Sequence, residues 1–291
     1  MLAREEYIEQ AHLFRTLSAR LAENVPMQEL LSQVKQEVLS TTRLPMAIDF
    51  LLTELRHIGM MSTAMQRLPH YFTPFQTYVM KEAESERGRF DLRIAIEILR
   101  HEAEYRAQSP IPQAMFMFHF ECLCRNRLKY DPGLGAVAGD PIYDDNWRQW
   151  ISELRLRIGM VDFADMIYVR SEFNLIHLKR PGEPPPVAEK PILFSEKEGK
   201  IAWANRRKDP LYLFAALQRH LGYPVVPRPK RLDESVNLVP LLNLQVQRLE
   251  ARIKLLEDEA RGGIDITKFY GKTAVPLPDI LPPDDRFGSM S

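Results

Sequence analysis

The sequence predicts a mainly α-helical protein, a multi-helix bundle followed by a C-terminal coiled-coil-like helix and an irregular tail. Apolar residues recur at helical spacing through most of residues 1–180. Prolines are concentrated behind them, with 8 in residues 1–180 and 14 in residues 181–291, and proline disrupts the interior of a helix. Because no series of alternating β-branched segments joined by hairpin turns is present, a β-sheet is not expected.

Residues 1–180 are the predicted helical core. Their apolar stripes begin, in chain order, at Ile8, Met27, Leu44, Leu92 and Trp147. Residues 111–129 are apolar nearly all round, interrupted by His119 and Glu121, which is typical of a central, buried helix. Residues 133–139 carry three glycines behind an Asp-Pro-Gly turn signal and are predicted to form a loop.

Three glycines are predicted to end helices in the left-handed conformation. They are Gly59, Gly159 and Gly222, each with basic residues before it that face the negative end of the helix dipole. Ser62 and Asp162 follow the first two glycines at the same distance and are predicted to cap the next helix. Gly59 and Gly159 are therefore expected at tight corners between helices.

The rest of the chain is predicted to alternate between linkers and helices. The predicted segments are a Pro-rich linker at 181–194, a short basic helical segment at 195–223, a linker at 224–233, a coiled-coil helix at 234–262 and an irregular or disordered tail at 263–291. Asp209-Pro210 divides the basic segment into two short helices, because proline is favoured in the first turn.

Six apolar residues form a heptad seam in the predicted helix 234–262. They are Val239, Leu242, Val246, Leu249, Ile253 and Leu256, spaced 3, 4, 3, 4 and 3 residues apart. β-Branched residues at position a and leucine at position d favour a parallel dimer, in which Arg252 of one chain faces Glu257 of the other. The alternative is a helix that packs the same stripe on its own bundle. The sequence thus predicts a self-association surface and leaves the intramolecular packing open.

Overall composition excludes several classes of protein. Hydrophobic residues make up 45% and charged residues 27%, which excludes wholesale disorder. Lys+Arg and Asp+Glu are equal at 39 each, so no global charge favours nucleic acid or a membrane. Two cysteines exclude a disulfide framework and fit a reducing compartment. With no signal-peptide pattern at the start and no apolar run near the roughly 20 residues that span a bilayer, a cytoplasmic protein is expected.

Catalytic motifs are not found. The sequence lacks Gly-x-Ser-x-Gly, and Gly271-Lys272-Thr273 lacks the upstream glycine of a phosphate-binding loop. No catalytic residue and no cofactor is predicted. The weak metal candidates are Glu54, His57, Glu97 and His101. Glu54 and His57 have the Glu-x-x-His spacing of di-metal bundles, but the second such pair is missing, since Glu97 and His101 are four residues apart.

A local excess of positive charge favours one further class, nucleic-acid binding. Residues 179–232 hold 12 Lys/Arg against 5 Asp/Glu, with aromatic residues interleaved. The densest basic positions are Arg206, Arg207, Lys208, Arg228, Lys230 and Arg231. Such a stripe can contact phosphates while aromatic rings stack on bases. The alternative is a solvated linker whose positive charge balances the excess of acidic residues in 1–178.

These observations lead to three functional hypotheses. The first is a non-catalytic structural or scaffolding protein that associates with itself, or with another protein, through the heptad seam. The second is a nucleic-acid-binding module that uses residues 195–231. The third is a metal-dependent helical-bundle enzyme built on the four metal candidates.

Overall fold

The computed structural model describes residues 1–21, 23, 25–85, 90–178 and 190–228, together with positions 246, 249 and 253. Across these residues the chain is mainly α-helical, as predicted. Two isolated β-bridges are the extent of the strand-like pairing in the described ranges. The chain divides into two compact units, Met1–Pro229 and Lys230–Ser291.

Thirteen helices are present in the described part of the first unit. They are α1 (Arg4–Leu21), α2 (Met27–Glu37), α3 (Leu44–Ile58), α4 (Met61–Gln66), α5 (Pro74–Glu84), α6 (Leu92–Arg106), α7 (Pro112–Arg125), α8 (Tyr130–Ala138), α9 (Asp145–Arg157), α10 (Phe163–Val169), α11 (Glu172–Leu178), α12 (Glu196–Ala204) and α13 (Pro210–Leu221). None of them combines the length and the apolar character needed to cross a lipid bilayer.

Helix α7 is the centre of the first unit. Every residue from Ala114 to Leu123 is buried, as its all-round apolar sequence predicts. Its Phe116 contacts the rings of Trp147 and Trp150 of α9 at centroid distances of 5.7 and 4.8 Å. Helices α5, α8 and α13 also pack around this centre, and α1 lies along α6.

The helix ends follow the predicted glycine chemistry, with one correction. Gly59, Gly159 and Gly222 have φ angles of 77°, 84° and 71°, which confirms the left-handed conformation at all three. Asp162 caps α10 by accepting a hydrogen bond from the backbone N–H of Ala164 at 3.0 Å.

The predicted cap at Ser62 is wrong. Helix α4 begins one residue earlier, at Met61, and Ser62 lies inside it. The carboxylate of Glu84 in α5 accepts hydrogen bonds from the backbone N–H groups of Met61 at 2.6 Å and Ser62 at 2.8 Å. A side chain more than twenty positions away therefore provides the cap that a local pattern assigned to serine.

The loop predicted at residues 133–139 is also wrong, because α8 covers most of it. Pro132 falls in the first turn, where its missing N–H costs nothing. A Cβ at Gly133 would lie 2.7 Å from a methyl carbon of Leu123 and 3.2 Å from the Tyr78 ring. Gly133 is thus required for close helix packing rather than for a turn.

Residues 195–223 belong to the first unit, where α12 packs on α10 and α13 packs on α7. The break between α12 and α13 at Asp209-Pro210 is as predicted. Of the two predicted linkers, residues 181–189 and 229–233 lie outside the described residues, as does the predicted tail at 263–291. Leu193 and Phe194, at the end of the first linker, are buried.

Residues 223–228 form an irregular strap on the core. The Tyr223 hydroxyl donates to Glu121 Oε2 at 2.7 Å, and the Asn126 side-chain amide donates to the Pro227 carbonyl at 3.1 Å. Val226 is buried between these two anchor points. This part of the predicted linker 224–233 lacks regular secondary structure but is packed against the protein.

Candidate functional site

A cluster of ionisable side chains lies buried at the centre of the first unit. Glu102 and Arg106 come from successive turns of α6, His119 from α7, and Asp140 and Tyr143 from the connection between α8 and α9. Each of the five is at most 4% exposed. Buried charges are strongly unfavourable unless they are paired, so their contacts decide what this central cluster can do.

Arg106 joins the two carboxylates of the central cluster. Its Nε and Nη2 donate to Glu102 Oε1 at 2.9 and 2.7 Å, and its Nη1 and Nη2 donate to the two oxygens of Asp140. The guanidinium fork can serve two carboxylates at once, because its donors lie in one plane and point in several directions. Arg106 thereby ties α6 to the loop after α8.

His119 extends the central cluster into α7. Its Nε2 lies 3.1 Å from Glu102 Oε1, and its Nδ1 lies 3.4 Å from the Tyr143 hydroxyl. The Phe75 ring stacks on the imidazole at a centroid distance of 4.0 Å. Both ring nitrogens and one face of His119 are therefore occupied by protein groups.

The electrostatics of the central cluster favour its ion pairs. Burial alone would raise the pKa of the Glu102 carboxyl, but Arg106 and the hydrogen bond from His119 hold it below its usual range. Burial alone would lower the pKa of Arg106, and the two facing carboxylates raise it instead. Burial, aided by Asp140, raises the pKa of the Tyr143 phenol, which keeps it protonated.

The central cluster has some features of a metal site and one strong feature against it. Ligand atoms of Glu102, His119 and Asp140 lie within 4.8 Å of one another, and no group among the described residues hydrogen-bonds to Glu102 Oε2. However, Arg106 already donates hydrogen bonds to both carboxylates, so a metal cation would have to displace its guanidinium group. The contacts favour a structural ion-pair network that fixes α6, α7 and the α8–α9 connection.

Sequence reasoning found only part of the central cluster. His119 stood out as an interruption of an apolar helix, and a buried polar residue must have partners. Those partners are 17 and 24 residues away at Glu102 and Tyr143. The one local signal for Glu102 is its helical spacing, three residues after Leu99 and seven after Ala95, which places it on the buried face of α6.

The four predicted metal candidates lie apart from the central cluster. Glu54 pairs with Arg67 at 2.7 Å, and His57 is exposed at the end of α3. Glu97 accepts hydrogen bonds from Ser18 and Arg100. Among the residues that the structure describes, the one group of three close metal-ligating atoms is in the central cluster, so these four candidates are not gathered around a common point.

His101 has a contact that the sequence did not suggest. It comes within 4.0 Å of Glu97, and its Nδ1 lies 3.0 Å from the carbonyl of Val225 in the strap. This part of α6 therefore contacts the strap at residues 223–228.

The two cysteines are protonated thiols. Burial raises the pKa of Cys122 well above its ordinary value and raises that of Cys124 to about 11. Since the thiolate is the reactive form, neither side chain has the electrostatic environment of a nucleophile.

The predicted nucleic-acid contacts divide into two groups. Arg206 forms an ion pair with Asp165 and lies over the Trp203 ring at 4.1 Å from its centroid. Arg207, Lys208 and Arg228 are exposed. The remaining two, Lys230 and Arg231, lie outside the described residues.

Three residues of the heptad seam are described. Val246, Leu249 and Ile253 are helical, with exposed fractions of 48%, 58% and 54%. The other three, Val239, Leu242 and Leu256, lie outside the described residues. Comparison of the chain with known proteins finds no matching family model, no matching curated protein and no matching solved structure.

Proposed function

We propose that this protein is a non-catalytic scaffold that associates with a second copy of itself through the heptad seam, as a parallel dimer. The observation that carries the proposal is the exposure of Val246, Leu249 and Ile253 on a helix, at 48%, 58% and 54%. An exposed apolar stripe at heptad spacing is typical of a surface that pairs with another helix.

The energetics favour pairing of the heptad seam. Fully burying a Val, Leu or Ile side chain stabilises by about 1.5–3 kcal/mol. Val246 and Ile253 occupy a positions and Leu249 a d position, so all three insert as knobs into a facing helix of the same sequence. Burial of the exposed part of each side chain, repeated in both helices, offsets the entropy lost on association.

Charges beside the heptad seam support the parallel orientation. Arg252 is a g residue and Glu257 is the following e residue. In a parallel dimer, g of one chain lies next to the following e of the other, so each pair brings opposite charges together twice. An antiparallel pair would not align these two positions.

The central cluster supports a structural role for the first unit. Arg106 occupies both buried carboxylates, and Glu102, Tyr143 and Phe75 surround His119. Groups engaged in this way connect helices. A general acid or base has to reach a substrate proton, and each of these side chains contacts protein instead.

Multi-angle light scattering on the full chain tests the proposal. We expect twice the chain mass of 33.8 kDa at tens of micromolar, and the single chain mass for a Leu249→Glu, Ile253→Glu double variant. Leu156→Glu is the matched control, since Leu156 is 75% exposed on α9 and its substitution should leave the dimer intact. A wild-type chain that is monomeric at this concentration would contradict self-association.

A further inference from the structure

Four aromatic side chains form a box where α10, α11 and α12 meet. Tyr168 comes from α10, Phe173 and His177 from α11, and Trp203 from α12. The Trp203 ring lies 4.6 Å from Tyr168 and 4.7 Å from His177, and Phe173 stacks on His177 at 5.6 Å, all between ring centroids. The Tyr168 hydroxyl and His177 Nδ1 are 2.8 Å apart, which fixes the two rings relative to each other.

Cations gather at this aromatic box. The guanidinium carbon of Arg206 lies 4.1 Å from the Trp203 centroid and 5.7 Å from that of Tyr168, and Lys200 Nζ lies 5.7 Å from Phe173. These are all of the cation–π contacts in the described part of the chain. Such contacts occur roughly once per 70–80 residues, so three within one patch is a marked concentration.

The aromatic box also carries a counter-charge and an opening. Asp165 of α10 forms an ion pair with Arg206 beside the rings. Trp203 is 37% exposed, and the Arg206 side chain is 29% exposed. A cation at this position therefore meets ring faces, a carboxylate and solvent, and Arg206 can leave the rings without crossing the protein interior.

We propose that the aromatic box is a binding site for a small methylated ammonium group, in which Arg206 is the internal occupant that the ligand replaces. Ring faces attract a cation through their quadrupoles, and the attraction is strongest for Trp. A fully methylated, quaternary ammonium such as that of choline is weakly hydrated and has no N–H group to donate to water, so ring faces compete well with water for it. Arg206 makes the site self-occupied, and its removal should raise the affinity. The inference does not depend on the proposed dimer.

Choline chloride is the probe for the test, and the indole N–H signal of Trp203 in a ¹H–¹⁵N spectrum is the readout. Trp147 and Trp150 are buried, and a Trp203→Phe variant identifies the third signal. We expect a saturable shift in Arg206→Gln, with a midpoint about 5–30-fold below that of the wild type, as loss of the competing cation–π contact requires. Arg206→Lys keeps the charge but not the flat guanidinium, and should give an intermediate midpoint.

Two controls separate binding from general effects. The neutral isostere 3,3-dimethylbutan-1-ol and sodium chloride at equal ionic strength should leave the Trp203 signal in place. In the Arg206→Gln background, Trp203→Leu should weaken the choline response, read from the Tyr168 ring protons, by about 2–30-fold. Far-ultraviolet circular dichroism of each variant confirms that the helices are retained.

Several results would overturn the assignment. They are the absence of a saturable shift in Arg206→Gln, equal midpoints in Arg206→Gln and wild type, or an equal response to the neutral isostere. If Arg206→Gln loses its helices, the comparison of wild type with Arg206→Lys decides, and equal midpoints there overturn the proposal. Phosphatidylcholine vesicles test the other source of this group: if Arg206→Gln responds to free choline and also sediments with the vesicles, a lipid headgroup reaches the box as well, whereas a choline response without sedimentation assigns the site to a soluble ligand.

Discussion

Two arginines in this protein pair with carboxylates, with opposite consequences. Arg106 is 2% exposed and bonds to two buried carboxylates in the central cluster. Arg206 is 29% exposed and has one carboxylate, Asp165, and the faces of Trp203 and Tyr168. Water can take the place of the partners of Arg206 but not those of Arg106. Burial, more than the number of contacts, therefore separates a fixed structural residue from an exchangeable one.

The largest effect that this comparison predicts is at Arg106. We expect Arg106→Met to lower the free energy of unfolding by about 3–5 kcal/mol, because it leaves Glu102 and Asp140 buried without their cation. Urea unfolding followed by circular dichroism measures it. Arg206→Gln is the matched control and should cost less than Arg106→Met, because the side chains of Arg206 and Asp165 are 29% and 30% exposed. Equal losses in the two variants would break the distinction between the two arginines.

Leu249 in the heptad seam provides an uncharged residue whose free-energy change can be compared with those of the two arginines. We expect Leu249→Ala to cost about 2–5 kcal/mol in the association of two chains, while the first unit melts nearly as before and the mass falls. Glu250→Lys, at an e position, should change stability by less than about 1 kcal/mol. A lower melting point with an unchanged mass would instead indicate that the stripe packs on its own bundle.

The pH dependence of stability sharpens the comparison further. The pKa of Glu102 in the folded protein is below its ordinary value of 4.5. The carboxylate therefore contributes stability that is fully present above this value and is lost as the pH falls through the lower, folded-state pKa. We expect Glu102→Gln to flatten the acid side of the curve of unfolding free energy against pH. An unchanged slope would contradict the ion-pair role of Glu102.

The smallest effect is expected in a test of nucleic-acid binding. Arg206 is paired with Asp165 and stacked on Trp203, so it is not a solvated phosphate contact. We expect no retention of single-stranded RNA or DNA in a filter-binding titration at low salt. Retention that weakens with salt and is lost in an Arg207→Glu, Lys208→Glu variant would favour the nucleic-acid alternative.

Local sequence patterns predicted the helices well where the residues of the pattern themselves stabilise the structure. Helix α7 follows from its apolar residues, and the glycine ends follow from the left-handed conformation at Gly59, Gly159 and Gly222. Helix α8 was missed because Gly133 is selected by contact with Leu123 and Tyr78, which only the tertiary structure brings near.

The same difference between local patterns and long-range contacts applies to the central cluster, the cap of α4 and the aromatic box. Asp140 is 34 residues from Arg106 in the sequence, and Glu84 is 22 residues from the Ser62 that it caps. Pairs at such separations leave no periodic trace. The aromatic box was partly visible, because Trp203 and Arg206 stood out in the basic segment, but their ring partners come from two other helices.

The strap at residues 223–228 has a mechanical consequence. The strap is fastened at α7 by two hydrogen bonds, one from Tyr223 to Glu121 and one from Asn126, directly after the helix, to the Pro227 carbonyl. Tension applied at the C-terminal side of Arg228 is therefore delivered to the central helix of the first unit through these two hydrogen bonds. A pull from that direction loads the middle of the protein rather than peeling a helix from its end.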